Sequence, residues 1–73
     1  MKMDPTTFAQ LRAAIAGPMG KIMADGEVSP ERARWDALWA SGFDAAPLYL
    51  AGLNDDHIDT ALRKIARELE SDR

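Results

Sequence analysis

The chain's single histidine lies among carboxylates, so this segment is the first place to look for chemistry. His57 follows Asp55 and Asp56 and precedes Asp59, and carboxylates near an imidazole can bind a metal ion or transfer a proton. The spacing argues against both roles, because Asp56 and Asp59 share a helix face with each other better than either does with His57. The chain also has no second histidine and no cysteine. We therefore predict no catalytic residue, no metal site and no cofactor, and a non-enzymatic protein.

A second acidic stretch, Asp25-Gly26-Glu27, invites comparison with calcium-binding loops. The EF-hand pattern needs acidic residues two and four positions before the aspartate, and those positions are Met23 and Lys21. The stretch therefore predicts a turn and no calcium site.

The composition is that of a short acidic chain. It has 73 residues, with 9 Lys and Arg against 12 Asp and Glu and a net charge of −3, so no overall positive field attracts nucleic acid. A domain of this size buries only about 60% of its unfolded surface, and without cysteine it has no disulfide to support it. No apolar run is long enough to span a bilayer, and no signal peptide is visible. We expect one soluble domain, residues 1–73, in a reducing cytoplasm.

The charges are distributed unevenly. Between Arg34 and Arg63 the chain carries five aspartates and no lysine or arginine. The favoured interpretation is ordinary helix electrostatics, with acids at helix starts and i,i+4 pairs from Asp59 to Arg63 and from Lys64 to Glu68. The functional alternative is an acidic docking patch for a basic partner.

Two helices are predicted in the first half. Asp4-Pro5 is typical of an N-cap and first helical position, and predicts a helix near 5–16 that ends at Gly17-Pro18. Whether residues 19–24 add one irregular turn stays open. Ser29-Pro30 predicts a second helix start, for a helix near 30–41 that Gly42 ends.

Two further helices are predicted in the second half. Asp44 can cap a short helix near 45–51, and Asn54 can cap a helix near 55–70. The last helix carries a complete apolar stripe at i, i+3, i+4 spacing, formed by Ile58, Ala61, Leu62, Ile65 and Leu69. No segment alternates with the period of a strand. The fold class is therefore all-α, a small bundle of three to four short helices.

Trp35 and Trp39 are one helical turn apart. Two indoles at this spacing can cover much of a small core, and this is the favoured role. The alternative is that one indole stays exposed, with Phe43 or Tyr49, as the anchor of a homodimer or of a partner interface.

The second half of the chain resembles two known folds. The order of a helix, Gly42-Phe43, a short helix and then IDTALRKI resembles a ubiquitin-associated three-helix bundle over roughly 35 residues. Leu48 to Ile65 resembles a helix-turn-helix, in which Arg63, Lys64 and Arg67 would contact phosphate. Its second helix would then present aspartates to DNA at its N-terminal end, which is the wrong sign of charge.

The run RWDALWASGF followed by LNDDHIDTALRKI resembles a group of small proteins encoded by phages and prophages of Gram-negative bacteria, which share an RWD-containing helix and an NDDHIDTALR segment. The resemblance spans roughly residues 32–65. It implies a source and no mechanism. A short acidic phage protein is expected in the bacterial host cytoplasm, where it binds and modulates a host protein in host takeover or anti-defence.

We therefore expect a host protein as the partner, one that handles nucleic acid being the best match to the acidic charge. A homodimer is a second possibility, and nucleic acid and membrane are disfavoured. The alternatives are a helix-turn-helix regulator and a structural accessory protein of a virion or larger complex. The predicted partner-binding residues are Asp44, Asp55, Asp56, Asp59, Trp39 and Tyr49.

Overall fold

Four helices form the fold in the computed structural model, which describes residues 3–71. They are α1 (Pro5–Asp25), α2 (Pro30–Ala40), α3 (Ala46–Leu50) and α4 (Asp55–Ser71), and the described range contains no strand. The predicted all-α fold class is confirmed. None of the helices in this range is both long and apolar enough to cross a membrane.

The predicted helix starts are confirmed at α1 and α2. The Asp4 carboxylate accepts a hydrogen bond from the Thr7 backbone N–H at 3.2 Å and another from the Thr7 hydroxyl. These two bonds, the hydroxyl one first, lower the pKa of Asp4 below its ordinary value. The Ser29 hydroxyl oxygen accepts from the Arg32 N–H at 3.3 Å. Each cap supplies an acceptor to a first-turn N–H group that has no partner inside the helix.

A reciprocal pair of hydrogen bonds starts α4. The Asn54 side-chain oxygen accepts from the His57 N–H at 3.0 Å, and His57 Nδ1 accepts from the Asn54 N–H at 3.1 Å. This is the geometry of a capping box, with His57 in the place that glutamate or glutamine usually takes. The single histidine thus has a structural partner in its own helix turn.

α1 continues beyond the point at which the sequence predicts its end. The prediction of a helix near 5–16, followed by a turn from residue 17, is wrong, because α1 passes through Gly17 and Pro18 to Asp25. Proline has a backbone φ that suits a helix, and its cost comes from the missing N–H and the clash with the preceding turn. Met19, immediately afterwards, is fully buried in the core. This burial favours continuing the helix over ending it.

The core is formed where α1, α2 and α4 pack against one another. α4 buries its predicted stripe completely at Ile58, Ala61, Leu62 and Ile65, and Leu69 packs at the edge. The short α3 contributes one buried side chain, Leu48. The largest fully buried side chains of the described range are Leu11, Ile15, Met19, Leu38, Ile58, Leu62 and Ile65.

A glycine turn precedes α3, and a backbone hydrogen bond closes its end. Gly42 follows the end of α2 with φ of 73°, in the left-handed region that favours glycine, so the predicted end of α2 is confirmed. α3 is slightly shorter than the predicted 45–51, and the Leu53 N–H closes its end by donating to the Leu48 carbonyl at 3.1 Å. The chain then enters α4 two residues later.

Two glycines, Gly17 inside α1 and Gly26 immediately after it, provide a stability test. Gly17 is helical and exposed, and an added Cβ would meet nothing within 4 Å, so Gly17→Ala should raise the free energy of unfolding by about 0.5–1 kcal/mol. Gly26 is equally open but has φ of 67°, so Gly26→Ala should lower it by about 1–2 kcal/mol. Urea unfolding measures both. A loss of stability in Gly17→Ala would contradict a helix that continues past residue 16.

Candidate protein-binding face

The two tryptophans of α2 have different surroundings. Trp35 is half-buried against the core, whereas Trp39 is 65% exposed. Their ring centroids lie 6.4 Å apart with the planes tilted by 33°, so Trp39 packs on Trp35 from the solvent side. The favoured interpretation of both indoles as core residues is therefore wrong for Trp39.

Asp59 explains why Trp35 is the inner indole. The Trp35 Nε1–H donates to Asp59 Oδ1 at 3.1 Å. Arg63 Nε lies 2.8 Å from Asp59 Oδ2, and Arg34 Nη2 lies 3.5 Å from Asp59 Oδ1. Only 17% of the Asp59 side chain is exposed. Asp59, expected on the partner-binding surface, instead joins α2 to α4.

The relative direction of α2 and α4 places Trp39. Pro30, at the start of α2, lines a shallow groove together with Ala66 and Glu70 of the second half of α4. Trp35, further along α2, reaches Asp59 in the first half of α4. The two helices therefore run in opposite directions, and Trp39 lies toward the end of the molecule where α4 begins.

Tyr49 of α3 contacts this same end of α4. Its hydroxyl donates to Asp55 Oδ1 at 2.7 Å, and 43% of Tyr49 is exposed. The bond to Asp55, followed by partial burial and the negative charge of Asp55, raises the pKa of Tyr49 above its ordinary value of 10.0. Leu50, next to Tyr49, is 87% exposed.

We call Trp39, Tyr49, Asp55 and Asp56 the aromatic–acidic face. Both aspartates lie in the first turn of α4 and are exposed, and negative charge is stabilised there by the helix dipole. The face offers two aromatic rings and two carboxylates at one end of the molecule. Such a surface suits a partner with apolar and basic groups.

Asp44 and Leu50 complete the account of the predicted region. Asp44 is exposed before α3, and the prediction that it is the N-cap residue of this helix is wrong, because Ala45 holds that position. The Asp44 Oδ1 instead accepts from the Ala46 N–H at 3.0 Å, and Asp44 lines a groove beside α1. Leu50 was not among the predicted residues. The sequence did indicate an exposed apolar side chain here, because a helix of five residues with Leu48, Tyr49 and Leu50 in succession cannot bury all three.

The basic residues of α4 lie elsewhere. The predicted pair of Asp59 and Arg63 is confirmed at 2.8 Å. Glu68, predicted to pair with Lys64, instead has its Oε2 2.9 Å from Arg12 Nε of α1. Lys64 Nζ lies 5.0 Å from the centre of the Phe8 ring, which is the geometry of a cation–π interaction. The contacts of Glu68 and Lys64 tie the second half of α4 to α1.

Comparisons with known proteins give no relative, since no protein family, curated protein or solved structure matches the chain. The candidate face therefore depends on geometry alone. Within residues 3–71, no group of three or more His, Cys, Asp and Glu side chains could hold a metal ion.

Asp59 should be essential to stability. Asp59→Ala leaves the Trp35 N–H and the Arg63 guanidinium without their acceptor, and hydrogen bonds to charged groups contribute about 1.5–3 kcal/mol. We expect the free energy of unfolding to fall by about 2 kcal/mol. Asp56→Ala, on the exposed side of the same helix, should change it by about 0.5 kcal/mol or less. Equal effects in urea unfolding would contradict the internal role of Asp59.

The bond between Tyr49 and Asp55 has a spectroscopic signature. Tyr49 is the chain's only tyrosine, so ultraviolet absorbance follows its ionisation alone. Its pKa should lie above 10.0 and fall toward that value in Asp55→Asn, with Asp56→Asn as the control. Because the folded pKa is raised, the bond's stabilisation is present below pH 10 and is lost as pH rises through the pKa of Tyr49. The same pKa in wild type and Asp55→Asn would show that the bond does not form in solution.

Proposed function

We propose that this chain is a small phage or prophage accessory protein that binds and modulates a host protein, in host takeover or anti-defence, without catalysing a reaction. The observation that carries the binding role is the exposure of Trp39. Tryptophan is among the residues most enriched at interface hot spots. Its exposed indole lies at the end of the molecule that also presents Tyr49 and the carboxylates of Asp55 and Asp56.

Two considerations support an interface at this face. A chain of 73 residues has little apolar surface to spare from its core, yet it leaves Trp39 and Leu50 largely in water. The inner indole, Trp35, is fixed by its hydrogen bond to Asp59. Trp39 therefore stacks on a held neighbour, and a rigid aromatic group loses little conformational entropy when it binds.

The charge indicates the kind of partner. The face is acidic and the chain as a whole carries −3, so a host protein that handles nucleic acid, with a basic surface of its own, is the best match. The phage or prophage source and the host cytoplasm rest on the sequence resemblance over residues 32–65.

One observation favours a second candidate function, a helix-turn-helix regulator that binds DNA. Arg63 and Arg67 are exposed on α4, as a helix-turn-helix regulator would need for contact with phosphate. Against it, the N-terminal end of α4 presents Asp55 and Asp56. A basic protein would pair with these two carboxylates, whereas the phosphates of DNA would be repelled by them.

A pull-down with charge-reversal variants tests the proposal. The tagged protein is incubated with nuclease-treated lysate of a Gram-negative host at moderate salt, and the captured proteins are identified by mass spectrometry. We expect one stoichiometric host protein. The double variant Asp55→Lys, Asp56→Lys should abolish its capture, and Trp39→Ala should reduce it at least tenfold, about 1.4 kcal/mol of binding free energy.

The matched control is the double variant Asp25→Lys, Glu27→Lys, which changes the net charge equally at exposed positions beyond the face and should leave capture unchanged. Circular dichroism establishes that each variant remains folded. Undiminished capture by the Asp55, Asp56 double variant would refute the acidic face. Proteins that are recovered only without nuclease would favour the helix-turn-helix regulator.

A further inference from the structure

A groove lies between the start of α1 and α3, and none of the four residues of the aromatic–acidic face lines it. Its volume is about 630 Å³, within the range of pockets that bind ligands. Asp4, Thr7 and Gln10 of the α1 segment form one side. Phe43, Leu48 and Leu53 contribute apolar side chains from α3 and its flanking turns.

The charges around this groove have one sign. Asp4 and Asp44 line it, and its lining within the described residues includes no lysine or arginine. Both carboxylates are held by local hydrogen bonds, Asp4 to Thr7 and Asp44 to the Ala46 N–H. Two fixed negative charges therefore border an apolar interior.

We propose that this groove binds a partner segment that places a large apolar side chain between Phe43 and Leu53, with lysine or arginine beside it to pair with Asp4 and Asp44. Charge complementarity selects this occupant, since two carboxylates at the rim favour a cationic group and repel a phosphate or an acidic peptide. The apolar lining of the groove favours a large apolar side chain of the partner segment.

The groove also restricts how the segment binds. A volume of about 630 Å³ holds a few side chains, so recognition is confined to a short stretch of the partner. Residues 3–71 contain no strand to which a peptide could add as another strand. The segment is therefore recognised through side chains. This inference rests on the proposed function and extends it, because it names a second contact and its chemistry on the same basic partner.

The experiment is a selection of random 12-residue peptides displayed on phage against the immobilised intact chain. We expect enriched peptides to combine a large apolar residue with lysine or arginine. One enriched peptide is then synthesised with a fluorescent label and titrated by anisotropy. Gln10→Trp, which fills the groove from an exposed position of α1, should weaken binding at least tenfold. Ala9→Trp, also exposed on α1 but outside the groove lining, should not.

The carboxylates are tested separately. Asp4→Asn and Asp44→Asn keep the side-chain oxygen that accepts the local hydrogen bond and remove a charge. Each should weaken binding about twofold to fivefold at low salt, the range of an exposed ion pair. Glu27→Gln is the control for net charge. No enrichment, enrichment of acidic peptides, or equal binding by Gln10→Trp would overturn the groove proposal. If Trp39→Ala alone abolished peptide binding, the aromatic–acidic face would be the site and the proposed function would survive without the groove.

Discussion

The position of Asp59 is the constraint on which the exposed surface depends. Its carboxylate accepts a hydrogen bond from the Trp35 indole N–H and forms ion pairs with two arginines, one from α2 and one from its own helix. A largely buried carboxylate needs these partners, because burying a charge without them is costly. The contact sets the rotation of α2 against α4. With Trp35 turned toward α4, Trp39 packs on the outer side of Trp35, and 65% of Trp39 remains exposed.

The size of the core sets a second limit. Three helices bury a continuous apolar cluster, and α1 supplies Leu11, Ile15 and Met19 to it over a helix that includes Pro18. Ending α1 before Pro18 would remove Met19 from its helical position in a chain that has few other large side chains to bury. The helix tolerates Pro18 because the burial of Met19, the next residue, requires the helix to continue.

α3 connects the two surfaces proposed for binding. Its buried Leu48 holds it to the core, and Leu48 also lines the groove beside α1. Tyr49, the next residue, bonds to Asp55 of the aromatic–acidic face. Both surfaces carry aspartates. The proposed basic partner would therefore meet aspartates on both surfaces that adjoin this short helix, whereas Arg63 and Lys64 of α4 contact Asp59 and the Phe8 ring of α1.

The sequence by itself determined the features that depend on residues three or four positions apart. The caps at Asp4, Ser29 and Asn54 and the apolar stripe of α4 are of this kind, because a helix brings i and i+3 or i+4 together wherever it lies. The sequence also determined that the region around Asp55 is acidic. Tertiary structure alone decided the continuation of α1, the internal role of Asp59 and the exposure of Trp39. Each depends on contacts between helices distant in sequence, and local spacing carries no information about those contacts.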